Sequence, residues 1–496
     1  MNLSDLLQGY ECKLINGDKF KVVESIEYSS REVNKNSLFV AIKGEKLDGH
    51  RYISDAVNRG AGVIVVEDSA GEKQPESVTI VEVKDSLDAL AYLSSKYYGD
   101  PTKDIRITAV TGTNGKTTIT YILESICTGE NQIVGVIGTI NYRYNNRQYP
   151  SSLTTPLSKE LQHMFFEMKE SGVQHVVVEA SSHALDKKRL DYSNIDCAVF
   201  TNLTQDHLDY HKDIGSYFLA KKRLFSNVLA HSCKDNKIAV SNYDDPYGKK
   251  IVEGFDGNIL FYSIDNPVAD IYAKDIQIST DGIKARAVTP AGEVEINSEL
   301  LGRHNLSNIL ASVACAVGAG VSADDIAKGI ATLKNVPGRL QRVSNSKGIN
   351  IFVDYAHTPD ALGNVLVSVK SLCRGRLIVV FGCGGDRDKE KRPMMGTVAA
   401  EVADIVIVTS DNPRSEDPEK IILDIENGIK QAGLKQHEYF MITDRYEAIL
   451  KSVQISEEND TIVVAGKGHE DYQIIGNQKI HFDDKQACER ALKEIA

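Results

Sequence analysis

Apolar residues occur in short blocks along most of the chain, separated by polar stretches. The first hundred residues contain strand-like runs at 37–42 (SLFVAI) and 62–66 (GVIVV), and they end at Asp100-Pro101, which is a turn signal. Beyond it, strand-like and helical patterns alternate as ITAV, TTITYILESIC, IVGVIGTI, LSKELQHMFFEMKESG and HVVVEAS. This alternation predicts βαβ units on a mostly parallel sheet.

A second alternation begins near Pro337, with the strand-like runs NIFVDY, RLIVVFG, DIVIVTS and TIVVAG and helices predicted at 362–369 and 398–403. Between the two alternations, residues 250–300 read as strands and turns, and a helix is predicted at 307–318. We therefore expect an α/β protein of three domains: a smaller α/β domain at 1–100, a mostly parallel domain at 101–335 and a doubly wound, Rossmann-like domain at 336–496.

Composition narrows the class of protein. Of 496 residues, 42% are apolar and 25% are charged, which is ordinary for a globular protein and argues against disorder. The net charge of −12 argues against a dedicated nucleic-acid binder, because phosphate binding depends on clustered Lys and Arg. No apolar run is long enough to span a membrane, and the N-terminus is a poor secretory signal. We expect a cytoplasmic protein.

The strongest motif is VTGTNGKTT at 110–118, between the run ITAV and a helical pattern. A strand that leads into a glycine loop and then a helix directs backbone N–H groups at phosphate oxygens. Lys116 would reach the β- and γ-phosphates, and the Thr117 hydroxyl would hold Mg²⁺. The usual pattern has glycine where this chain has Val110, so we expect the loop to start differently. The expected ATP-binding residues here are Thr111, Gly112, Thr113, Asn114, Gly115, Lys116 and Thr117.

Glu179 is a carboxylate at the end of the second strand predicted after this motif. Glu179 ends the run HVVVE, and side chains at the carboxyl ends of parallel strands open into the crevice where ligands bind. Since Mg²⁺ prefers oxygen ligands, we expect Glu179 to be a second metal ligand beside Thr117. A helix-capping or turn carboxylate is an equal alternative on position alone.

Lys221 is predicted to lie at the centre of an apolar helix face. At 100° per residue, six apolar residues fall within about 60° of it: Ile214, Tyr217, Phe218, Leu224, Phe225 and Val228. A buried lysine tends to lose its proton, although extending the ammonium to water is the commoner outcome. A neutral lysine can react with CO₂ to form a carbamate, which would be an anionic metal ligand.

Three polar clusters follow strand-like runs of the third domain, at 381–393, 409–418 and 464–473. Loops after parallel strands share one sheet edge, so the clusters can converge on one ligand. Arg387 and Arg414 offer planar forks for a carboxylate, while Asp411, Asn412 and Glu470 offer acceptors for an ammonium group. A small molecule with both groups at its distal end would satisfy the set, whereas lysine would leave an arginine unpaired. For DNPR alone, an ordinary Asn-Pro turn is the simpler interpretation.

Taken in order, TGTNGKTT, VEASSHAL, GRHNLSN, PGRLQRV, VDYAHTPDAL and DNPR resemble segments of the Mur ligases, to which folylpolyglutamate synthases are related. These are ATP-driven enzymes that join an amino acid to a carboxylate. The resemblance covers essentially the whole chain. It implies that 1–100 binds a UDP-muramoyl group, that 101–335 binds ATP and that 336–496 binds the amino acid.

The resemblance also implies individual roles. His207 and a carbamylated Lys221 (N6-carboxylysine) would join Thr117 and Glu179 at two Mg²⁺ sites, and His207, Lys116 and Lys221 would be catalytic. Asn305 would contact adenine, Arg339 phosphate and Asp354 the ribose, with His357 near the triphosphate. From YSSREV, GEKLDGHRY, SLTTPL and the segment after Glu179, the expected UDP-muramoyl-dipeptide contacts are Ser30, Thr154, Thr155, Ser181 and Arg189. The expected diaminopimelate contacts are Arg387, Asp411, Asn412, Pro413, Arg414, Gly466 and Glu470.

The implied substrates are UDP-MurNAc-L-Ala-D-Glu, meso-diaminopimelate and ATP, with Mg²⁺ and CO₂, as lysine carbamate, as cofactors. Nucleic acid is not an expected partner, and a monomer is expected. The alternatives are a lysine-adding Mur ligase, a folylpolyglutamate synthase, or a nucleotide-dependent switch that joins nothing. The arginine of DNPR and the muramoyl-like first domain argue against the two enzymes. A GTPase is disfavoured because no NKxD-like guanine reader follows the loop.

Overall fold

The computed structural model describes residues 1–44, 47–69, 75, 77–130, 132–433 and 438–495, apart from the side chain of Asp209. Three sheets follow one another along the chain, and a two-stranded hairpin accompanies the third. The α/β class and the three-part architecture predicted from the sequence are confirmed. None of the helices in the described part of the chain is long and apolar enough to cross a membrane.

The first sheet has five strands: β1 (Cys12–Asn16), β2 (Ser25–Glu27), β3 (Ser37–Val40), β4 (Ala61–Val66) and β5 (Thr79–Val83). Its helices are α1 (Leu3–Leu6), α2 (Ile53–Asn58) and α3 (Ser86–Tyr97). The strand order is β1-β5-β4-β3-β2, and only β1 runs antiparallel to its neighbour. Residues of β4 alternate between two apolar clusters, one on each face, which explains why the whole strand is apolar.

The second sheet has eleven strands: β6 (Arg106–Thr111), β7 (Val134–Ile137), β8 (Asn141–Tyr144), β9 (Arg147–Pro150), β10 (His175–Glu179), β11 (Cys197–Phe200), β12 (Ile238–Asn242), β13 (Asn258–Ser263), β14 (Ile271–Ser279), β15 (Gly282–Thr289) and β16 (Gly292–Ser298). Its helices are α4 (Lys116–Gly129), α5 (Ser158–Glu170), α6 (Ser182–Asp186), α7 (Leu208–His211), α8 (Ile214–Arg223), α9 (Gly248–Ile251), α10 (Arg303–Gly318) and α11 (Ala323–Thr332).

The order of this sheet is β16-β15-β14-β13-β12-β11-β6-β10-β7-β8-β9. The run from β14 to β7 is parallel, and antiparallel hairpins extend both edges. One apolar cluster includes residues of α4 and α10 on one face, and a second includes residues of α5 and α8 on the other. The strands β11, β6 and β10 are neighbours, so the loops that follow them meet at one edge.

The third sheet has six strands: β17 (Gln341–Arg342), β18 (Asn350–Asp354), β19 (Leu377–Phe381), β20 (Ile405–Val408), β21 (Tyr439–Met441) and β22 (Thr461–Ala465); the hairpin is β23 (Tyr472–Ile475) and β24 (Gln478–His481). Its helices are α12 (Pro359–Lys370), α13 (Lys391–Val402), α14 (Pro418–Gln431), α15 (Arg445–Ile455) and α16 (Asp484–Glu494). The order β17-β18-β22-β19-β20-β21 is parallel except at β17, with apolar clusters on both faces.

Two local predictions differ from the structure. The helix predicted at 398–403 begins earlier, as α13 at Lys391, because the polar start KRP of that helix carries little apolar signal. The helix that carries Lys221 changes after Arg223 into a π-helical segment, Leu224–Leu229. Such segments are rare and occur often at functional sites.

Candidate active site

The phosphate loop, which is the name used below for residues 111–117, begins at the end of β6. At two of its positions the backbone has a conformation that only glycine accepts. Gly112 has φ +146°, and a methyl group there would lie 1.8 Å from Thr201 Oγ1. Gly115 has φ +91°, and a methyl group there would lie 2.3 Å from Asn308 Oδ1. The displaced glycine of the motif is therefore required by the close approach of the loop after β11.

Residues from outside the motif fix the loop. The backbone N–H of Thr113 donates to the Asn202 carbonyl at 2.9 Å, and that of Asn114 donates to Asn202 Oδ1 at 2.9 Å. Thr201 Oγ1 donates to the Asn114 carbonyl at 2.6 Å. Thr201, Asn202 and Asn308 were not predicted; the runs CAVFTN, at the end of β11, and GRHNLSN, which contain them, were the available signals.

Two lysines point at one carbonyl oxygen of this loop. Nζ of Lys116 and Nζ of Lys221 donate to the Gly112 carbonyl at 2.8 and 2.9 Å, and Lys116 also donates to the Thr113 carbonyl at 2.7 Å. Burial lowers the pKa of both lysines, and the charge of Lys116 lowers the pKa of Lys221 further. Neither lysine forms an ion pair with another described residue.

Lys221 does not extend to water. It is 1% exposed, and its ammonium lies 4.3 Å from the centre of the Tyr217 ring. The neighbouring Tyr217, Leu224, Phe225 and Val228 are buried with it, as the predicted apolar face requires. The Tyr217 hydroxyl lies 3.1 Å from Thr113 Oγ1 and so ties this helix to the phosphate loop.

Thr117 and Glu179 are in contact, as the metal prediction requires. Thr117 Oγ1 donates to Glu179 Oε2 at 3.1 Å, and Glu179 also accepts from the backbone and side chain of Thr139 at 3.0 and 2.9 Å. Arg339, from the segment before β17, donates to Thr117 Oγ1 at 3.3 Å. A buried hydroxyl at the start of α4 and a buried carboxylate at the end of β10 form an oxygen donor set that fits Mg²⁺.

His207 lies at the side of the loop where Lys221 is. Its side chain is 45% exposed, pairs with Asp206 at 3.4 Å, and has φ +54°. Partial burial lowers the pKa of His207, and Lys116 and Lys221 lower it further. Its ring centre is 6.2 Å from that of Tyr217. In the described part of the chain, no three His, Cys, Asp or Glu side chains form a ready metal cluster, so the predicted set depends on Thr117 and on modification of Lys221.

The residues predicted to contact the dipeptide form a chain of bonds beside Glu179. Thr155 Oγ1 donates to the Glu179 carbonyl at 2.6 Å and accepts from the backbone of Ser181 at 3.1 Å. Arg189 Nη1 donates to the Thr155 carbonyl at 2.7 Å, while its Nε, although buried, has no partner among the described residues. Thr154 Oγ1 lies 3.2 Å from Thr139 Oγ1.

Ser30 lies apart from this group, in the turn after β2 in the first sheet. Among the described residues, Ser30 forms no hydrogen bond with Thr154, Thr155, Ser181 or Arg189. Of the segment GEKLDGHRY, Glu45 and Lys46 lie outside the described residues. A long substrate that spans both sheets would be needed to contact Ser30 and Thr155 together.

Asn305 and Asp354 are buried and already bonded to their own chain. Asn305 donates to the Leu301 carbonyl at 2.8 Å and accepts from Asn308 Nδ2 at 3.0 Å. Asp354 accepts from the backbone N–H of Leu340 at 2.7 Å and of Ala356 at 2.8 Å. Burial raises the pKa of Asp354. Their contacts with adenine and ribose stay predictions, and in this structure both residues instead hold neighbouring segments in place.

A carboxylate from helix α12, which belongs to the domain of the third sheet, contacts the phosphate loop. Asp360, in the first turn of α12, accepts from Asn114 Nδ2 at 3.3 Å and from Thr204 Oγ1 at 2.9 Å. The helix begins at the preceding residue, Pro359, with Thr358 as its N-cap. Asp360 lies in the segment VDYAHTPDAL, but no role was predicted for it. Together with Arg339, Asp360 connects the third sheet to the second at the loop.

The three polar clusters of the third sheet converge as predicted, because β20, β19 and β22 are neighbours. Arg414 has φ +52°, and its Nη1 donates to the Gly385 carbonyl at 2.7 Å. Arg387 is exposed, and no hydrogen bond or ion pair to another described residue is found for it. A methyl group on Gly384 would lie 2.9 Å from Arg414 Nη1 and 3.7 Å from Arg387 Cγ, so both arginines flank this glycine.

The predicted ammonium acceptors already hold an ammonium of the protein. Lys467 Nζ donates to Asp411 Oδ1 at 3.3 Å, to Asn412 Oδ1 at 3.3 Å and to Glu470 Oε2 at 3.2 Å. Asn412 Nδ2 donates to Glu470 Oε2 at 2.9 Å.

Two further predicted residues frame this group. Gly466, with φ +116°, donates from its backbone to the Asp354 carbonyl at 3.1 Å. Pro413 packs its carbonyl against Gly385. The sequence analysis missed Lys467, although it stands in the quoted segment VAGKGHEDYQ.

Three family models match the chain in order. The models described as Mur ligase family, catalytic domain, as Mur ligase middle domain, and as Mur ligase, glutamate ligase domain match residues 22–98, 110–316 and 338–468. Each match falls on one of the three sheets.

Curated relatives match over the full length. UDP-N-acetylmuramoyl-L-alanyl-D-glutamate–2,6-diaminopimelate ligases are 43% identical in Geobacter metallireducens, over 100% of this chain and 99% of the relative, and 40% identical in Clostridioides difficile, over 100% of both. A solved structure of an enzyme with that name superimposes with a TM-score of 0.72 at 32% identity, and covers 100% of this chain and 99% of the other.

Proposed function

Since the chain belongs to the Mur ligase family, we propose that it joins meso-diaminopimelate to UDP-N-acetylmuramoyl-L-alanyl-D-glutamate and converts ATP to ADP and phosphate as it does so. The observation that carries this function is the full-length identity of 43% to a ligase of that name. The loops after β19, β20 and β22, called the amino-acid loops below, agree with this function, because two arginines and an acidic cluster converge there. The product is a peptidoglycan precursor, a UDP-MurNAc-tripeptide.

The reaction has two steps. A carboxylate oxygen of the dipeptide attacks the γ-phosphorus of ATP, so the β–γ P–O bond breaks, ADP leaves and an acyl phosphate forms. The amine of diaminopimelate then attacks the acyl carbon, the C–O bond to phosphate breaks, and the amine loses a proton as the amide forms. Both steps build negative charge on phosphoryl oxygens, which positioned cations stabilise.

The phosphate loop supplies the positioning for the first step. Lys116 directs an ammonium group into the space beside Gly112, where Nζ of Lys221 also lies, and Arg339 adds a guanidinium at Thr117. Lys116, which lies on the loop itself, is the group we assign to the transferred phosphoryl. Thr155, Ser181 and Arg189 lie on the strand-end loops next to Glu179, where the acceptor carboxylate has to meet the phosphate. Much of the rate enhancement then comes from holding the reactants together.

We infer that two Mg²⁺ ions bind here, held by Thr117 and Glu179 and by His207 and Lys221. Mg²⁺ held by these residues would supply positive charge to offset the negative charge that develops during transfer. The hydroxyl–carboxylate contact of 3.1 Å provides oxygen ligands for one ion.

Lys221 serves the second ion only if its charge is reversed. A buried lysine of lowered pKa can add CO₂, so that the amine, CO₂ and loss of one proton give a carbamate anion. Support for this modification comes from the position of Lys221: it is 1% exposed, with another lysine bonded to the same carbonyl and no carboxylate bonded to it among the described residues. A carbamate there would relieve the repulsion between Lys116 and Lys221.

In the third sheet, Arg387 and Arg414 would hold the distal carboxylate of diaminopimelate, and Asp411, Asn412 and Glu470 its distal ammonium. Gly466 and Pro413 shape the backbone between these groups. We place the enzyme in the cytoplasm, where ATP and nucleotide-linked precursors are made, and take it to act as a monomer. The proposed domain boundaries are 100/101 and 335/336, which fall between the sheets.

The test is phosphate release and product mass with a panel of amino acids. Diaminopimelate, lysine and glutamate are each supplied with ATP, Mg²⁺ and either the muramoyl dipeptide or a folate acceptor. We expect phosphate release only with the muramoyl dipeptide and diaminopimelate together. Preference for lysine would indicate a lysine-adding Mur ligase, and preference for the folate–glutamate pair would indicate a folylpolyglutamate synthase. Phosphate release from ATP when both acceptors are left out would indicate a nucleotide-dependent switch.

A further inference from the structure

Lys467 is the most deeply enclosed charged group of the amino-acid loops. It follows β22, and its side chain is 0% exposed. An ammonium taken out of water is strongly destabilising unless acceptors surround it. The reason for placing a lysine here must therefore lie in the groups that it contacts.

Those contacts join two loops. Asp411 and Asn412 belong to the loop after β20, whereas Glu470 belongs to the loop after β22 that contains Lys467 itself. The ammonium donates one hydrogen bond to each of the three side chains, at 3.3, 3.3 and 3.2 Å. An ammonium has three protons, so Lys467 is fully used by this set.

The contacts leave half of each carboxylate unused. Lys467 bonds Oδ1 of Asp411 and Oε2 of Glu470, and Asn412 Nδ2 bonds the same Oε2. Among the described residues, no hydrogen bond reaches Asp411 Oδ2 or Glu470 Oε1. Two carboxylates face one ammonium, so the group has one net negative charge and two free oxygen atoms.

We propose that Lys467 is a positioning residue that presets the amino-acid site to receive a single ammonium group of the substrate. It holds Asp411 and Glu470 side by side, neutralises one of their two charges and leaves one oxygen of each for the distal ammonium of the amino acid. This inference rests on the proposed function, because it assigns the free oxygens of Asp411 and Glu470 to that substrate.

A purely structural role for Lys467 is the rival interpretation, but another residue already fills that role. Arg445 forms a fully buried ion pair with Asp484 at 2.7 Å. It also donates to the Ala465 carbonyl at 3.0 Å and to the Ser410 carbonyl at 3.4 Å, at the ends of the same two strands. Arg445 thus fixes the backbone where both loops begin, while the ammonium of Lys467 donates its hydrogen bonds only to the side chains of Asp411, Asn412 and Glu470.

The test compares Lys467→Met and Lys467→Arg with the parent enzyme, using Lys479→Met as a control. Lys479 is exposed in the nearby hairpin and contacts none of the three acceptors. In Lys467→Met we expect the KM for diaminopimelate to rise roughly 30-fold or more, while the KM values for ATP and the muramoyl dipeptide change by less than about threefold. Lys467→Arg should restore part of the loss, and Lys479→Met should match the parent.

A charge-restoring double variant separates positioning from structural support. Lys467→Met leaves two facing carboxylates without their cation, and Lys467→Met/Glu470→Gln returns the group to one net negative charge. The double variant should therefore lose less affinity for diaminopimelate than the two single variants together. If Lys467→Met does not fold, the double variant is compared with Glu470→Gln alone: the group then carries one net negative charge instead of none, so the KM for diaminopimelate should be lower in the double variant, and a higher KM would contradict the proposal.

The pH profile gives a second readout. Glu470 faces Lys467, Asp411 and Asn412, with Tyr355, Tyr472 and Arg414 close by. Burial raises the pKa of Glu470, and Lys467 opposes that rise. Without the ammonium, a carboxyl of the pair keeps its proton to higher pH and cannot hold a substrate ammonium. The acidic limb of kcat/KM for diaminopimelate should therefore move to higher pH in Lys467→Met, but not in Lys467→Arg.

Two outcomes would overturn the proposal: an unchanged KM for diaminopimelate in Lys467→Met, or equal increases in all three KM values with additive losses in the double variant. Failure of the proposed function is a separate result. It would appear as absence of diaminopimelate ligation by the parent enzyme, whereas the proposal on Lys467 is judged on the ratio of variant to parent.

Discussion

At the scale of single residues, the active site depends on charges that the protein leaves unpaired. Lys116 and Lys221 share the Gly112 carbonyl and have no carboxylate partner among the described residues. Arg387 is exposed and unbonded within the described part of the chain, and the buried Nε of Arg189 lacks a partner there. Unpaired cations are expected where anionic substrates bind.

Lys116→Ala should abolish turnover while the fold stays intact. The lysine lies on the phosphate loop, and its loss removes a positive charge from the transferred phosphoryl group, which costs on the order of 100- to 1000-fold in kcat. Its hydrogen bonds go only to carbonyls of its own loop, so the melting temperature should change little. Steady-state phosphate release and thermal unfolding measure the two effects. Near-normal ligation would show that the ATP site lies elsewhere.

Lys221→Ala should be nearly inactive and partly rescued by short carboxylic acids. If Lys221 acts as a carbamate, acetate or formate can replace the missing anion beside the metal. The measurement is the ligation rate against added carboxylate, and Lys222→Ala on the polar face of the same helix serves as the control. A high-resolution map that shows a bare ammonium with both metals bound would contradict the modification.

Arg414→Ala should weaken selection of diaminopimelate over lysine. Its planar fork suits the distal carboxylate, and its loss should cost on the order of 2–4 kcal/mol, or roughly 30- to 1000-fold in apparent affinity. Lysine should gain relative to diaminopimelate, even if its absolute rate stays low. The readout is kcat/KM for both amino acids in variant and parent. An unchanged ratio would transfer the role to Arg387.

At the scale of elements, the loops after β6, β10 and β11 meet because these strands are neighbours in the sheet. The sequence predicts this arrangement well, since each strand is a short apolar run and each loop has its own polar signal. Long-range partners are different: Thr201, Asn308 and Lys467 lie in runs that stand out in the sequence, but no local pattern shows that their side chains contact the site. The spacing of the apolar residues around Lys221 also does not show that α8 continues as a π-helical segment.

Gly112→Ala should destabilise the loop and remove activity. A methyl group at φ +146° would lie 1.8 Å from Thr201 Oγ1 and 3.1 Å from the Asn202 nitrogen, so loop and strand end would have to separate. Gly320→Ala is the matched control, because it also has positive φ but its methyl group would meet no atom within 4 Å. Both should pay backbone strain of roughly 1–3 kcal/mol, and only Gly112→Ala should lose ligation. Equal melting temperatures and equal activities would argue against the close approach.

At the scale of the whole molecule, three substrates have to meet although their binding residues belong to three sheets. Asp360 and Arg339 connect the third sheet to the phosphate loop, at 2.9–3.3 Å from Thr204, Asn114 and Thr117. The first sheet holds Ser30, apart from the central group. Reactions that assemble three ligands in this way commonly include domain closure, which here would bring the amino-acid loops toward the acyl phosphate.

The most direct measurement uses a muramoyl dipeptide whose reacting carboxylate is labelled with ¹⁸O. It is incubated with ATP, Mg²⁺ and diaminopimelate, and both products are analysed by mass spectrometry. The mechanism predicts a UDP-MurNAc-tripeptide containing diaminopimelate, together with released phosphate that carries one ¹⁸O atom, because the carboxylate oxygen becomes the bridge of the acyl phosphate. Unlabelled phosphate, or phosphate released without the diaminopimelate adduct, would contradict it.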